Sequence, residues 1–247
     1  MTYSVFIKVH QKFLKENFDP KRAVKEKAYL YSELKHYGIA AKVNQSFFAK
    51  HKKFLSALTK TEVLNLVNNL WQKPSHGERS LATHILELHK DKLNATDMPL
   101  IEKLMRECRG WALLDNLIIP IMPTLLAKEK GLYVYLTKWI KDTDFWVRRS
   151  ALLAQLLFFR KGVDGNKELF FKLAKSQFNE SWIDEIYTDK LQNSRAKFFI
   201  RKAIGWTLRE MARKDPKSVI TFLTKNKKLM SGLSFREGSR RLPKINQ

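Results

Sequence analysis

Apolar positions along this chain recur at intervals of three and four residues, and alternating strand-like runs are nearly absent, so the pattern predicts helices throughout. Residues 2–17 make the first helix, ending before Asp19-Pro20, and Lys21 to Tyr37 make the second, stopped at Gly38. Gln45 to Ala57 and Thr61 to Trp71 follow. Thr61-Glu62 reads as a cap ahead of Val63, Leu64, Leu66, Val67 and Leu70, and Lys73-Pro74 closes that helix. After a turn containing Pro74 and Gly77, helices are predicted over Glu78 to His89, Asp97 to Arg106 and Trp111 to Lys128. The last carries Pro120 and Pro123 and hence a kink. Leu132 to Lys141 leads into Asp142 to Phe159 (DTDFWVRRSALLAQLLFF), whose second half is apolar on more than one face and reads as a buried helix. Lys167 to Ser176, Phe198 to Lys214 and Ser218 to Lys225 complete the pattern, with an irregular stretch over 162–197.

The segment around Asp144, Val147-Arg148 and Ala151 is spelled like the second helix of a HEAT repeat. WVRRSALLAQL aligns without a gap on FIRKAIGWTLRE, pairing Val147 with Ile200, Arg148 with Arg201 and Arg149 with Lys202; ERSLATHILEL fits the same frame loosely. Stacked two-helix repeats of this kind predict an all-α fold, an α-solenoid or superhelix of HEAT-like repeats with a basic concave face lined by the second helices. A single domain is expected over 1–247, with N-terminal helices at 1–72, core repeats at 73–225 and a basic C-terminal tail at 226–247. Arg148 and Arg149 sit in the opening turns of their helix, where the macrodipole disfavours cations, so their place there points to a phosphate.

Charge sharpens the picture. Lys plus Arg number 47 against 24 Asp plus Glu, a net charge of +23, in a chain of 247 residues with the 44% hydrophobic content of a folded protein. That balance speaks for a polyanionic partner, nucleic acid ahead of an anionic membrane, and against a protein-binding solenoid unless its partner is acidic. One cysteine, Cys108, excludes an internal disulfide or a cysteine zinc cluster and reads as a small core residue. The N-terminus lacks the apolar core of a signal peptide, and no apolar run approaches the ~20 residues of a membrane span. The expected setting is the cytoplasm, associated with a bacterial nucleoid, with no membrane partner.

Several chemistries have no residues to carry them. No GxxxxGK[ST] or GxGxxG loop is present, and no small-molecule cofactor is expected. The histidines (10, 36, 51, 76, 84 and 89) make no HExxH, and none is read as a metal ligand. What remains is a carboxylate and aromatics among the cations. Trp111 and Asp115 share a helix face at i,i+4, and Trp206 follows Gly205, which clears space beside its ring. Taken singly, each tryptophan also fits a core position, and Asp115 also fits a dipole-favoured carboxylate.

GWALLDNLIIP, DTDFWVRRSALL and FFIRKAIGWTLRE resemble the characteristic segments of the AlkD-type DNA alkylation repair glycosylases, HEAT-like repeat proteins, over about Phe13 to Leu223. The resemblance implies a duplex-wrapping superhelix that acts as a monomer on DNA containing alkylated bases. The activity it implies is hydrolysis of the N-glycosidic bond of positively charged purines such as 7-methylguanine and 3-methyladenine. It implies a catalytic set of Asp115, Trp111 and Arg149, substrate contacts from Trp206 and Tyr29, and no metal. Arg148, Arg201, Lys202, Arg79 and Arg209 are then expected on the DNA backbone. The chain departs from the family at Gly110 and Ala112, where a Trp and an Asp are common. The competing expectation is a non-catalytic HEAT-like module that binds nucleic acid. Asp115 separates the two, because a pure binder gains nothing from a carboxylate that repels phosphate.

Overall fold

The computed structural model describes residues 2–108, 110–163 and 165–243, and its contacts divide into two compact units, Met1–Leu117 and Ile118–Gln247. Both are built from helices, and among the described residues the one β-type pairing is an isolated bridge between Lys35 and Ser75. The fold is an all-α helical repeat fold, as the periodicity predicts.

The first unit holds α1 (Tyr3–Glu16), α2 (Pro20–Leu30), α3 (Ala41–Ser56), α4 (Lys60–Trp71), α5 (His76–Leu88) and α6 (Met98–Arg106). Side-chain caps set several of the starts. Asp19 accepts from the Arg22 N–H at 2.9 Å with Pro20 at the first helical position, so α2 begins where the sequence predicts. For α4 the cap is Thr59, not Thr61. Thr59 and Glu62 form a reciprocal capping box, which starts the helix one residue earlier than expected. The larger difference is the end of α2, which stops at Leu30 rather than Tyr37, with Tyr31 left-handed at φ 52°. Tyr31 and Ser32 still donate to Ala28 O and Lys27 O, but the residues after them bond elsewhere. Lys35 N–H donates to Pro74 O at 3.0 Å, His76 N–H donates to Lys35 O at 2.9 Å, and Asp19 N–H donates to Tyr37 O at 2.9 Å. These tertiary backbone bonds outweigh a helix propensity of a few tenths of a kcal/mol per residue. Gly38 makes the return possible: at φ +64° a Cβ would lie 2.4 Å from Asp19 O, which no side chain tolerates. Leu66, Leu70, Ile85, Leu86, Ile101 and Leu104 form the fully buried centre.

α7 (Trp111–Lys128) keeps both prolines inside an unbroken helix. By length and composition alone it could cross a membrane, yet 61% of it is buried within the protein, as in a core helix.

The second unit continues with α8 (Tyr133–Trp139), α9 (Phe145–Leu153), α10 (Leu156–Lys161), α11 (Lys167–Lys175), α12 (Ser181–Ile186), α13 (Lys190–Met211), α14 (Pro216–Asn226) and α15 (Gly232–Ser239). The helix predicted over Asp142 to Phe159 is divided in two. Gln155, buried between α9 and α10, accepts from Asn166 N–H at 2.6 Å instead of facing solvent. The stretch read as irregular contains α12 and the first turns of α13, and the basic tail contains α15. α13 packs against α9, α10 and α15. Gly205 allows the close approach of α15, since a Cβ there would sit 2.5 Å from the Glu237 Cβ and 3.0 Å from Ser234 O. So Gly205 clears space for a helix, and the segment expected as a tail is packed structure.

At the start of α14, Lys167 Nζ meets the Asp215 carboxylate at 2.6 Å and Ser218 Oγ at 2.8 Å. The hydrogen bond from Lys167 holds the Asp215 carboxyl at about 2, below its ordinary 3.8. A depressed carboxylate contributes stability above its unfolded value and loses it as pH falls through the folded one. Lys167→Met is therefore expected to lower Tm above pH 3.8 and to match the wild type below pH about 2, as thermal melts across that range would show.

Candidate active site

Within the first unit, the chain enters α7 through Gly110 at φ +132°, where a Cβ would lie 2.8 Å from Leu30 O at the end of α2. A side chain at 110 is excluded by this backbone. The close approach also brings α2 against the first turn of α7. Tyr29 meets the Trp111 ring edge-to-face, with centroids 5.7 Å apart at 88°. Trp111 is half-buried, Tyr29 is 70% exposed, and Asp115, one turn further along α7, is only 7% exposed. A carboxylate shielded from water and an aromatic face open to it therefore lie on one helical face, as the i,i+4 spacing predicts. Cys108 is buried, in keeping with a core role.

Arg79, also in this unit, stacks over Trp71 at 5.2 Å, and its Nη1 donates to Glu107 O at 3.1 Å. Trp71 Nε1 donates to the Glu107 carboxylate at 2.9 Å. Arg79 thus completes the carbonyl end of α6, where a cation is favoured.

In the second unit, Asp144 caps α9 by accepting from Trp146 N–H at 2.8 Å. Behind this cap lies a cluster of rings: Phe145, Trp146 and Phe199, with Tyr187 OH donating to Thr143 O at 3.0 Å and accepting from Phe145 N–H at 3.1 Å. Arg149 is 3% exposed against this cluster. Its Nη1 donates to Phe199 O at 2.9 Å, and its guanidinium lies 5.4 Å from the Phe199 ring centre. Trp206 is half-buried on α13, which packs on α9.

Arg148 is engaged within the second unit. Its Nε donates to Asp142 O at 2.5 Å and its Nη2 to Lys141 O at 3.5 Å, while Nη1 donates to Gln177 Oε1 at 3.2 Å. Gln177 itself donates to Ile140 O at 3.2 Å. The pair closes the orphan carbonyls after α8, so a cation misplaced for the start of α9 is well placed for the end of α8. The guanidinium also stacks 3.5 Å from the Trp182 ring centre. Burial draws its pKa below the ordinary arginine value, against the opposing charge of Asp142. Arg148→Ala is expected to cost roughly 1–3 kcal/mol of stability, the usual scale for orphaned buried groups. It should leave the salt dependence of DNA binding unchanged; a flattened salt slope at full stability would return Arg148 to the phosphate contacts.

The remaining cations expected on a duplex are likewise engaged inside the second unit. Arg201 makes a bidentate pair with Glu180 at 2.6 and 2.5 Å, which raises the Arg201 pKa. Lys202 meets Glu237 at 2.7 Å, and Arg209 meets the same carboxylate and lies 3.8 Å from Glu210. Burial alone would push Glu237 up, but the hydrogen bond from Lys202 and the charges of Lys202, Arg209 and Arg240 outweigh it and hold the carboxyl below its ordinary value. These pairings could not be read from spacing, since Glu180 and Glu237 lie 21 and 35 residues from their partners. Basic side chains open to solvent are instead lysines such as Lys21, Lys25, Lys27, Lys50 and Lys53.

A group the sequence reading set aside lies in the first unit. Glu26, His36 and His76 present ligand-type atoms within 4.8 Å of one another, beside a cavity of about 470 Å³. Burial, helped by the neighbouring His36, holds His76 near a pKa of about 4.

A family model described as DNA alkylation repair enzyme matches residues 10–242 of the chain. Among solved structures, a predicted DNA alkylation repair enzyme from Enterococcus faecalis superposes with a TM-score of 0.72 at 22% sequence identity, covering 92% of this chain and 98% of its own. At that identity the likeness shows the fold alone. No curated protein matches the chain.

Proposed function

Because the chain belongs to the DNA alkylation repair enzyme family, we propose that it is a DNA glycosylase. It hydrolyses the N-glycosidic bond of cationic alkylpurines, 7-methylguanine and 3-methyladenine, in duplex DNA. The observation that carries the reading is Asp115: a carboxylate 7% exposed, on one helical face with a half-buried tryptophan, in a protein of net charge +23.

An N7- or N3-alkylated purine already bears positive charge, so it departs without a proton from the enzyme, and no histidine is needed as general acid. As the bond breaks, positive charge builds on the deoxyribose. Asp115, in surroundings that water screens poorly, stabilises that charge and orients the attacking water. One carboxylate suffices, since the second of the usual glycosidase pair serves to protonate a poorer leaving group. Trp111 offers a negative π-face to the cationic nucleotide, held in orientation by Tyr29, and Trp206 offers another; each is worth about 0.5–2 kcal/mol in favour of lesion over neutral base. Arg149 is proposed as the group that meets a backbone phosphate beside the lesion. Non-specific attraction to the duplex comes chiefly from the exposed lysines and weakens steeply with salt. The chain acts as a monomer, and its activity is expected in the cytoplasm.

Incubation with methylated duplex DNA tests the proposal by its products. Free alkylpurine must appear together with alkali-labile abasic sites, in equal amounts and without added metal or cofactor. Salt-sensitive DNA binding without either product identifies a non-catalytic binding module instead.

A further inference from the structure

We propose that Glu26, His36 and His76 bind a divalent transition-metal ion of the zinc class. Their donor atoms lie within 4.8 Å of one another. The His36 side chain is 1% exposed, yet both of its ring nitrogens lack a hydrogen-bond partner, as does Nε2 of His76. The Glu26 carboxylate stands 3.6 Å from His36 Nδ1, longer than a hydrogen bond, and the two imidazoles stack with centroids 4.6 Å apart at 23°. Each buried polar atom left unmet costs about 1–3 kcal/mol, and such clusters are rare unless something satisfies them. A metal ion would take one ring nitrogen from each histidine together with the Glu26 carboxylate.

The backbone is built to hold these donors. Lys35 N–H donates to Pro74 O and His76 N–H to Lys35 O, which fixes His36 beside His76. Asp19 N–H donates to Tyr37 O, and Gly38 lies against the start of α2, which fixes the same loop beside Glu26. The ion would therefore join α2, the 31–40 loop and α5. Two imidazoles and one carboxylate are a zinc-type set, whereas calcium and magnesium take oxygen donors. Tetrahedral bonds of about 2 Å place donor atoms about 3.3 Å apart, so binding would draw the three atoms together from within 4.8 Å. Three protein ligands leave a fourth position, which faces the cavity lined by His10, Phe47, Phe48 and His84 and would take water. Glu26 lies one turn before Tyr29, so the ion also steadies the part of α2 that meets Trp111.

The test uses the untagged full chain, stripped with a chelator and titrated with Zn²⁺ alone against a chromophoric competitor, and separately with Co²⁺ followed by visible absorption. One tight equivalent and an intense tetrahedral cobalt spectrum are expected for the wild type and for His84→Asn, which changes a cavity histidine outside the ligand set. Glu26→Gln and His76→Asn should weaken the tight site by at least about tenfold and abolish the tetrahedral spectrum. Should His76→Asn fail to fold, Glu26→Gln decides, because its half-exposed carboxylate can change without burying a new group. No tight equivalent in the wild type, only the weak spectrum of surface binding, or unchanged affinity in Glu26→Gln overturns the proposal.

Discussion

Asp115→Asn is expected to slow release of 7-methylguanine by about 10²- to 10³-fold, the loss seen when one preorganised electrostatic group is removed from a transition state. The substitution keeps the side chain's shape and one of its two acceptor oxygens, so the packing of the start of α7 should persist. Duplex affinity is expected to stay equal or to rise, because a negative charge that repels phosphate is gone. The split between rate and affinity is diagnostic. A structural carboxylate would give the opposite result, with loss of melting temperature and DNA binding together, and residual activity in proportion to the folded fraction. Arg149 offers no such clean separation, since its Nη1 bond to Phe199 O ties α9 to α13, and its removal changes packing as well as charge.

Glu237→Gln is expected to carry the largest cost in stability, roughly 2–3 kcal/mol, seen as a drop in denaturation midpoint at pH 7. Glu237 is 9% exposed and receives Lys202 and Arg209, with Arg240 at 3.9 Å. Breaking one side of a buried pair leaves cations uncompensated, which usually costs about 3–5 kcal/mol. Lys202 is 35% exposed and regains water, so the lower figure applies. The same variant should narrow the gap to wild type in acid. Glu237 is depressed below its ordinary carboxylate value, so its contribution is complete above that value and is lost as pH falls through the folded one. A variant as stable as wild type at pH 7 would mean that α15 is held by its packing on α13 and the Ser234 bond to Arg201 O, not by these charges.

The i,i+4 relation of Trp111 and Asp115 was legible in the sequence because it is local. So were the helical class and the burial of Cys108, which follow from periodicity and composition. What escaped depends on partners far along the chain. The end of α2 was hidden because Lys35 and Tyr37 pair with Pro74, His76 and Asp19 rather than with their own helix. His36 and His76 are 40 residues apart and share no motif, so only that backbone pairing brings them together. The contacts of Arg148 were hidden for the same reason. Its position in the opening turns of α9 suggested a phosphate, while the acceptors that explain it lie after α8 and at Gln177. Segment 226–247 looked like a tail because its charge concealed the partner of that charge: Lys202 and Arg209 on α13 bury Glu237.

The most direct measurement is a single-turnover time course of free 7-methylguanine released from methylated duplex DNA, with the wild type and Asp115→Asn run side by side at matched folded concentration and fixed salt. Exponential release by the wild type, with the variant slower by about two orders of magnitude at undiminished DNA affinity, is the predicted result. No release by the wild type under saturating, demonstrably bound enzyme, or release by the variant at the wild-type rate, would contradict the assignment of Asp115 as the group that makes this chain a glycosylase.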